Sequence, residues 1–164
     1  MFLPVRRLLR ETGDPLVFAS QVNFSQKDFP GYTLPEAVAF TVTATPDNGR
    51  VLVHVSVLAL VCAPCARCLP PVRQPLQFEK EYVLREADFA EEFPELPLTP
   101  EGLLDAEEMV YQELLLEAPG VLLCSEDCQG LCAACGNLKQ ECTCEKTAEG
   151  DPRLQVLRQL LQQE

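Results

Sequence analysis

Six of the 21 residues from Cys124 to Cys144 are cysteine, in the order Cys124-Ser-Glu-Asp-Cys128-Gln-Gly-Leu-Cys132-Ala-Ala-Cys135-Gly-Asn-Leu-Lys-Gln-Glu-Cys142-Thr-Cys144. Such a stretch holds too few apolar side chains to bury a core of its own, so its fold depends on what the sulfurs bind. A Cys-x-x-Cys-Gly turn, here Cys132 to Gly136, aims two sulfurs at one point, and the glycine lets the backbone curl around a cation. Cys142 and Cys144 complete a four-thiolate set, provided the chain bends between them. Zinc is the expected metal. An iron–sulfur cluster and a set of packed, small apolar thiols are the alternatives.

A second group, Cys62-Ala-Pro-Cys65-Ala-Arg-Cys68-Leu69, follows directly on a predicted strand. Three readings of it compete. Cys65 and Cys68 join Cys124 and Cys128 in a second zinc site, leaving Cys62 free; they are structural thiols at a strand end; or they form a redox pair. The redox reading needs a helix starting at the motif, which Pro70-Pro71 disfavour. The total of nine cysteines is odd, so full disulfide pairing is excluded, and clustered thiols point to metal in a reducing compartment. Nothing approaches the ~18 consecutive apolar residues of a membrane span. The N-terminal Arg6-Arg7 pair follows the apolar residues, the reverse of a secretory signal. A cytoplasmic protein is expected.

The rest of the chain predicts an α+β fold. Val38 to Thr45 and Arg50 to Val61 read as the two strands of a hairpin around Pro46-Asp47-Asn48-Gly49, where the last two residues suit positive φ. Val72 to Leu84 alternates again, with Leu76, Phe78, Tyr82 and Leu84 on one parity, and reads as an edge strand because of Pro75. Leu3 to Arg10 can begin a helix, residues 16–35 are mixed, and 86–102 read as an acidic, Pro-rich surface loop. Asp105 caps a middle helix that runs to about Ala118, with Met109, Leu114 and Leu115 on its apolar side, stopped by Pro119-Gly120. Asp151-Pro152-Arg153 starts a C-terminal amphipathic helix carrying Leu154, Leu157, Leu160 and Leu161. The expected organisation is an antiparallel sheet domain over residues 1–120 and a cysteine-rich zinc module with its C-terminal helix over 121–164.

The formal charge is −12, and thirteen of the 25 acids fall in residues 79–117 beside only two bases, Lys80 and Arg85. This balance disfavours direct contact with a phosphate backbone. His54 is the single histidine and sits among valines, which excludes histidine-based triads and points to a half-buried strand residue. No phosphate-binding loop or dinucleotide fingerprint is present. An all-thiolate zinc site is normally closed. No convincing catalytic set emerges, and a non-enzymatic protein is expected.

Cys65-Ala-Arg-Cys68-Leu69 resembles the CxRCL motif of the YceD family of large ribosomal RNA subunit accumulation proteins. Leu123-Cys124 through Leu138, Cys142-Thr-Cys144 and Asp151-Pro152-Arg153-Leu154 are similar to that family's second signature, in the right order; Cys62 is additional. The resemblance implies a role in accumulation or processing of large-subunit (23S) rRNA. For so acidic a chain the expected route is indirect: Glu91, Glu92, Glu95, Glu107 and Glu108 would attract a basic ribosomal protein or rRNA-processing factor, the alternative being that residues 79–117 are only a solubilising face. The alternatives are a direct RNA-binding zinc module using Arg67, Arg73, Lys139, Arg153 and Arg158, and a thiol redox protein.

Overall fold

The computed structural model describes residues 1–10, 13–91 and 94–144. In chain order these form β1 (Phe2–Leu3), α1 (Val5–Leu8), β2 (Leu16–Val22), β3 (Val38–Asp47), β4 (Arg50–Pro64), β5 (Pro71–Leu84), a 3₁₀ turn (Glu86–Ala90), β6 (Leu104–Asp105) and α2 (Ala106–Glu117). The fold is α+β. The main sheet is antiparallel with strand order β2-β3-β4-β5, and β1 pairs β6 in a separate two-stranded sheet. Two compact units divide the chain, Met1–Cys128 and Gln129–Glu164.

Alternation makes the sheet one-sided. Val38, Phe40, Val42 and Ala44 of β3 and Val51, Val53, Val55, Val57, Ala59 and Val61 of β4 are all buried, each valine contributing about 1.5–3 kcal/mol. The intervening residues, among them Thr41, Thr43, Ser56 and the half-buried His54, face outward.

The expected hairpin forms, and its turn sets the hydrogen-bond phase of the whole sheet. Asn48 (φ 46) and Gly49 (φ 80) make a two-residue left-handed turn, so Asp47 and Arg50 are its closing hydrogen-bonded pair. On β4 the even positions therefore bond to β3 and the odd ones to β5. Cys62, an even position beyond the end of β3, instead exchanges main-chain bonds of 2.8 and 2.9 Å with Thr33. On β5 the even residues, Gln74 to Leu84, face β4, and the odd residues turn their main-chain groups away from the sheet. Pro75 is one of the odd ones, so its missing N–H costs the ladder nothing.

Two elements depart from the sequence reading. Residues 16–35 contain β2, whose Leu16, Phe18 and Val22 pack on the core from the sheet's other edge. The helix expected from Leu3 to Arg10 is confined to Val5–Leu8, because Phe2 and Leu3 pair with Asp105 and Leu104. Arg6 donates its main-chain N–H to Gly102 O at 3.0 Å, a close approach in which a Cβ on Gly102 (φ 82) would collide with the Arg6 side chain.

The Asp105 cap is present: its Oδ1 accepts from the N–H groups of Glu107 (3.2 Å) and Glu108 (3.3 Å). α2 gives Ala106, Met109, Val110 and Leu114 to the core, and Glu113 lies on the same stripe, 6 % exposed. Glu113 accepts the Tyr82 hydroxyl hydrogen bond from β5, and Lys80 pairs with Glu117 one turn on. Burial and this contact push the Tyr82 phenol well above its ordinary pKa. The expected C-terminal helix over 151–161 lies outside the described residues. Among those described, no helix is long and apolar enough to cross a membrane.

Candidate metal centres

β4 ends at Pro64, and the chain enters a tight turn that carries two sulfurs. Leu69 N–H bonds Cys65 O at 2.9 Å and Cys65 N–H bonds Pro70 O at 2.8 Å. Closing this turn puts Leu69 at φ 73, a conformation that costs a branched side chain roughly 1–2 kcal/mol. No helix starts at the motif, as a thioredoxin-like pair would require.

The segment after α2 returns to this turn. Leu122 is buried, and its carbonyl accepts Ala66 N–H at 2.9 Å. Arg67 donates to the carbonyls of Glu126 (3.3 Å) and Cys128 (2.7 Å). The result is a group of four sulfurs, those of Cys65, Cys68, Cys124 and Cys128, all within 4.8 Å of one another. Cys65 Sγ is 3.9 Å from Cys128 Sγ, and Cys68 Sγ is 3.4 Å from Cys124 Sγ. Cys65, Cys68 and Cys128 are buried and Cys124 is exposed.

The second unit gathers another four. Cys132 N–H bonds Asn137 O at 2.7 Å, and Gly136 N–H returns to Cys132 O at 2.8 Å. This turn requires the positive φ that Gly136 supplies (74°). Leu131 and Leu138 bridge across its base. The chain then bends so that Cys144 N–H reaches Cys142 Sγ at 3.3 Å. Cys132, Cys135, Cys142 and Cys144 bring their sulfurs within 4.8 Å of one another.

These spacings fit a cation and do not fit disulfides, whose sulfurs are ~2.05 Å apart; all nine cysteines are free. Four thiolates at ~2.3 Å from a tetrahedral metal are separated by about 3.8 Å, in the middle of the distances here. Each group could hold one metal ion. The protonation balance agrees. Burial pushes the Cys65 thiol up, but the N–H groups of Arg67, Cys124 and Cys68 outweigh it and bring it down to about 6. The N–H groups of Cys135 and Ala134 likewise bring Cys132 down to about 6. Burial and neighbouring sulfurs raise Cys68, and the sulfurs of Cys135 and Cys142 push Cys144 up to about 12. Each group thus sets one lowered thiol, Cys65 or Cys132, beside a raised one, Cys68 or Cys144, whose proton a bound cation would displace. Cys62 stays outside both groups.

The acidic segment is less uniform than its composition implies. Glu86 pairs with Arg6, Glu108 with Lys27 at 3.4 Å, and Glu107 lies 3.7 Å from the Met1 amino group. Of the expected partner-binding residues, Glu91 and Glu95 are exposed and line a common cleft, whereas Glu92 lies outside the described residues. The expected surface loop holds a 3₁₀ turn and the buried Leu96. Of the bases considered for RNA contact, Arg67 has its guanidinium tied to main-chain carbonyls, Arg73 is exposed on β5, and Arg153 and Arg158 lie outside the described residues.

The family model described as "Large ribosomal RNA subunit accumulation protein YceD" matches residues 53–161, a span that includes both sulfur groups. Uncharacterized proteins of Mycobacterium tuberculosis and Mycobacterium bovis are 34% identical to this chain over 90 residues, covering 52% of it. The match spans 44% of the length of those relatives. No solved structure matches.

Proposed function

Because the chain belongs to the YceD family of large ribosomal RNA subunit accumulation proteins, we propose that it supports accumulation or processing of 23S rRNA as a non-enzymatic assembly factor in the cytoplasm. The observation that carries this reading is the family match over residues 53–161. The site chemistry agrees with it: both sulfur groups offer four protein ligands to a metal, which leaves no open position for a substrate. Zinc is the proposed occupant, since it takes tetrahedral thiolate sets without redox chemistry. Cys65, Cys68, Cys124 and Cys128 would hold one ion, and Cys132, Cys135, Cys142 and Cys144 the other. The ions act as structural staples.

The proposed partner is a basic ribosomal protein or processing factor, attracted to the exposed carboxylates Glu91 and Glu95 and their neighbours. Two measurements test this reading. Removing the protein from its host should lower mature 23S rRNA relative to 16S rRNA. The tagged chain should capture a basic assembly-stage protein at low salt and lose it at high salt. Unchanged 23S rRNA without the protein would sink the ribosomal reading, and salt-independent capture would sink the electrostatic one.

A further inference from the structure

The hydrogen-bond phase fixed at Asn48-Gly49 leaves β5 with an open side. The outward main-chain groups of Gln77, Glu79, Glu81 and Val83 have no main-chain partner among the described residues, and all four side chains are exposed. Among the described residues the sheet's other edge strand is β2, where the corresponding residues are Val17, Ala19 and Gln21, without charge. Carboxylates mark only the β5 edge. Its C-terminal end also borders a cleft of about 360 Å³ lined by Glu81, Asp88, Glu91 and Glu95, with Arg85 as a base among them.

We infer that the β5 edge is a docking site for an extended basic segment of the partner, which adds to the sheet as a fifth strand. This deepens the proposed function and rests on it. Main-chain pairing to residues 77–83 supplies affinity whatever the sequence, and alternate side chains supply selectivity. A strand laid beside β5 places every second side chain on the open face, next to Glu79 and Glu81, at cross-strand distances of about 5 Å. The segment should therefore carry Lys or Arg at alternate positions, and its end should run into the acidic cleft. Glu81 lies at the cleft end of this edge, so Glu81 and the cleft acids are the principal charge partners. Pro75 limits the docking run on its N-terminal side, because it has no N–H to offer.

The test uses the full-length protein, loaded with metal, and a synthetic peptide alternating Arg and Val, against a peptide of the same composition with its arginines consecutive. Amide hydrogen exchange is followed residue by residue. In the free protein the amides of Phe78, Lys80 and Tyr82 should be protected and those of Gln77, Glu79, Glu81 and Val83 should exchange fast. The alternating peptide should slow the second set about tenfold or more and bind more tightly than its isomer. Glu81→Gln should weaken binding about two- to fivefold. Gln77→Pro should abolish the protection while the fold persists, since Pro75 is accommodated in the same orientation. Binding without protection of the odd-numbered amides, or equal binding by Gln77→Pro, overturns the inference. So does a peptide-free dimer that already protects them, which would make a second copy the occupant. A host carrying Gln77→Pro with normal 23S rRNA also defeats the docking edge, while loss of 23S rRNA on removing the whole chain would still stand for the ribosomal role.

Discussion

Cys65 Sγ lies 3.9 Å from Cys128 Sγ across 63 residues of sequence. A cation bound there closes the chain around β5, the acidic loop and α2, a crosslink whose effect on the unfolded state grows slowly with the length enclosed. With the second group, the protein as purified without added metal should carry one ion per group, two in all. Cys65→Ser and Cys135→Ser should each leave one. Elemental analysis by mass spectrometry checks this, and sulfide together with visible charge-transfer bands would identify an iron–sulfur cluster instead.

Arg67 is a positioning residue for the first group, because its guanidinium fixes the carbonyls of Glu126 and Cys128 against the Cys65 turn. Arg67→Ala should speed chelator-driven metal loss from this group severalfold and leave the Cys132 group's release rate unchanged. Arg67→Lys should rescue only part of it, since an ammonium cannot reproduce the planar fork. Equal release from wild type and Arg67→Ala would remove the role.

Cys132, half-buried, and Cys144, exposed, should differ in reactivity once metal is stripped from the second group. An ordinary thiol titrates near ~8.5. Cys132, brought down to about 6, is mostly thiolate at pH 7, whereas Cys144, pushed up to about 12, stays protonated. Alkylation of Cys132 should rise as pH increases through about 6 and then level off. Cys144 should react later, and peptide mapping after short exposure to iodoacetamide will order them. Bound metal should suppress both.

Tyr82 and Glu113 form a polar contact between β5 and α2, beside the Lys80–Glu117 pair. Tyr82→Phe leaves a buried carboxylate without that donor and should cost about 1–3 kcal/mol, read from urea unfolding at pH 7. The folded-state pKa of Tyr82 is raised above its unfolded value. Its contribution is therefore complete below about pH 10 and is lost as pH climbs beyond that, through the folded-state value. Tyr82→Phe should flatten the alkaline limb of the stability profile.

Asp105 caps α2 through two main-chain N–H groups. Asp105→Ala should destabilise the first unit by about 1 kcal/mol, and Asp105→Asn or Asp105→Ser by less. Thermal unfolding of the metal-loaded protein measures both.

What could be read from residues alone follows how local the signal is. The β3–β4 hairpin was legible because Asp47-Asn48-Gly49 and two strictly alternating runs agree. The Cys132 group was legible because its turn is written in consecutive residues. β2 was hidden by Val17 and Ala19, apolar residues on an open face that erase the expected alternation. β1 and β6 are two residues each and exist only through pairing across about a hundred positions. The α2 stripe contains Glu113, whose place in the core makes sense only with Tyr82 opposite. The neutralisation of Glu86 and Glu108 by Arg6 and Lys27 is equally non-local. A count over residues 79–117 therefore overstates the charge that any partner would meet.

β4 runs without a break from Arg50 to Pro64 and delivers Cys65 directly from the valine core. No slack separates the two, so the hairpin turn and the first sulfur behave as the ends of one ruler. A slip of one residue at Asn48-Gly49 would carry Cys65 about 3.3 Å along the strand, out of reach of Cys128. Mispairing far from the thiolates would thus be reported as failure to capture the cation, and only a correctly registered sheet would be locked.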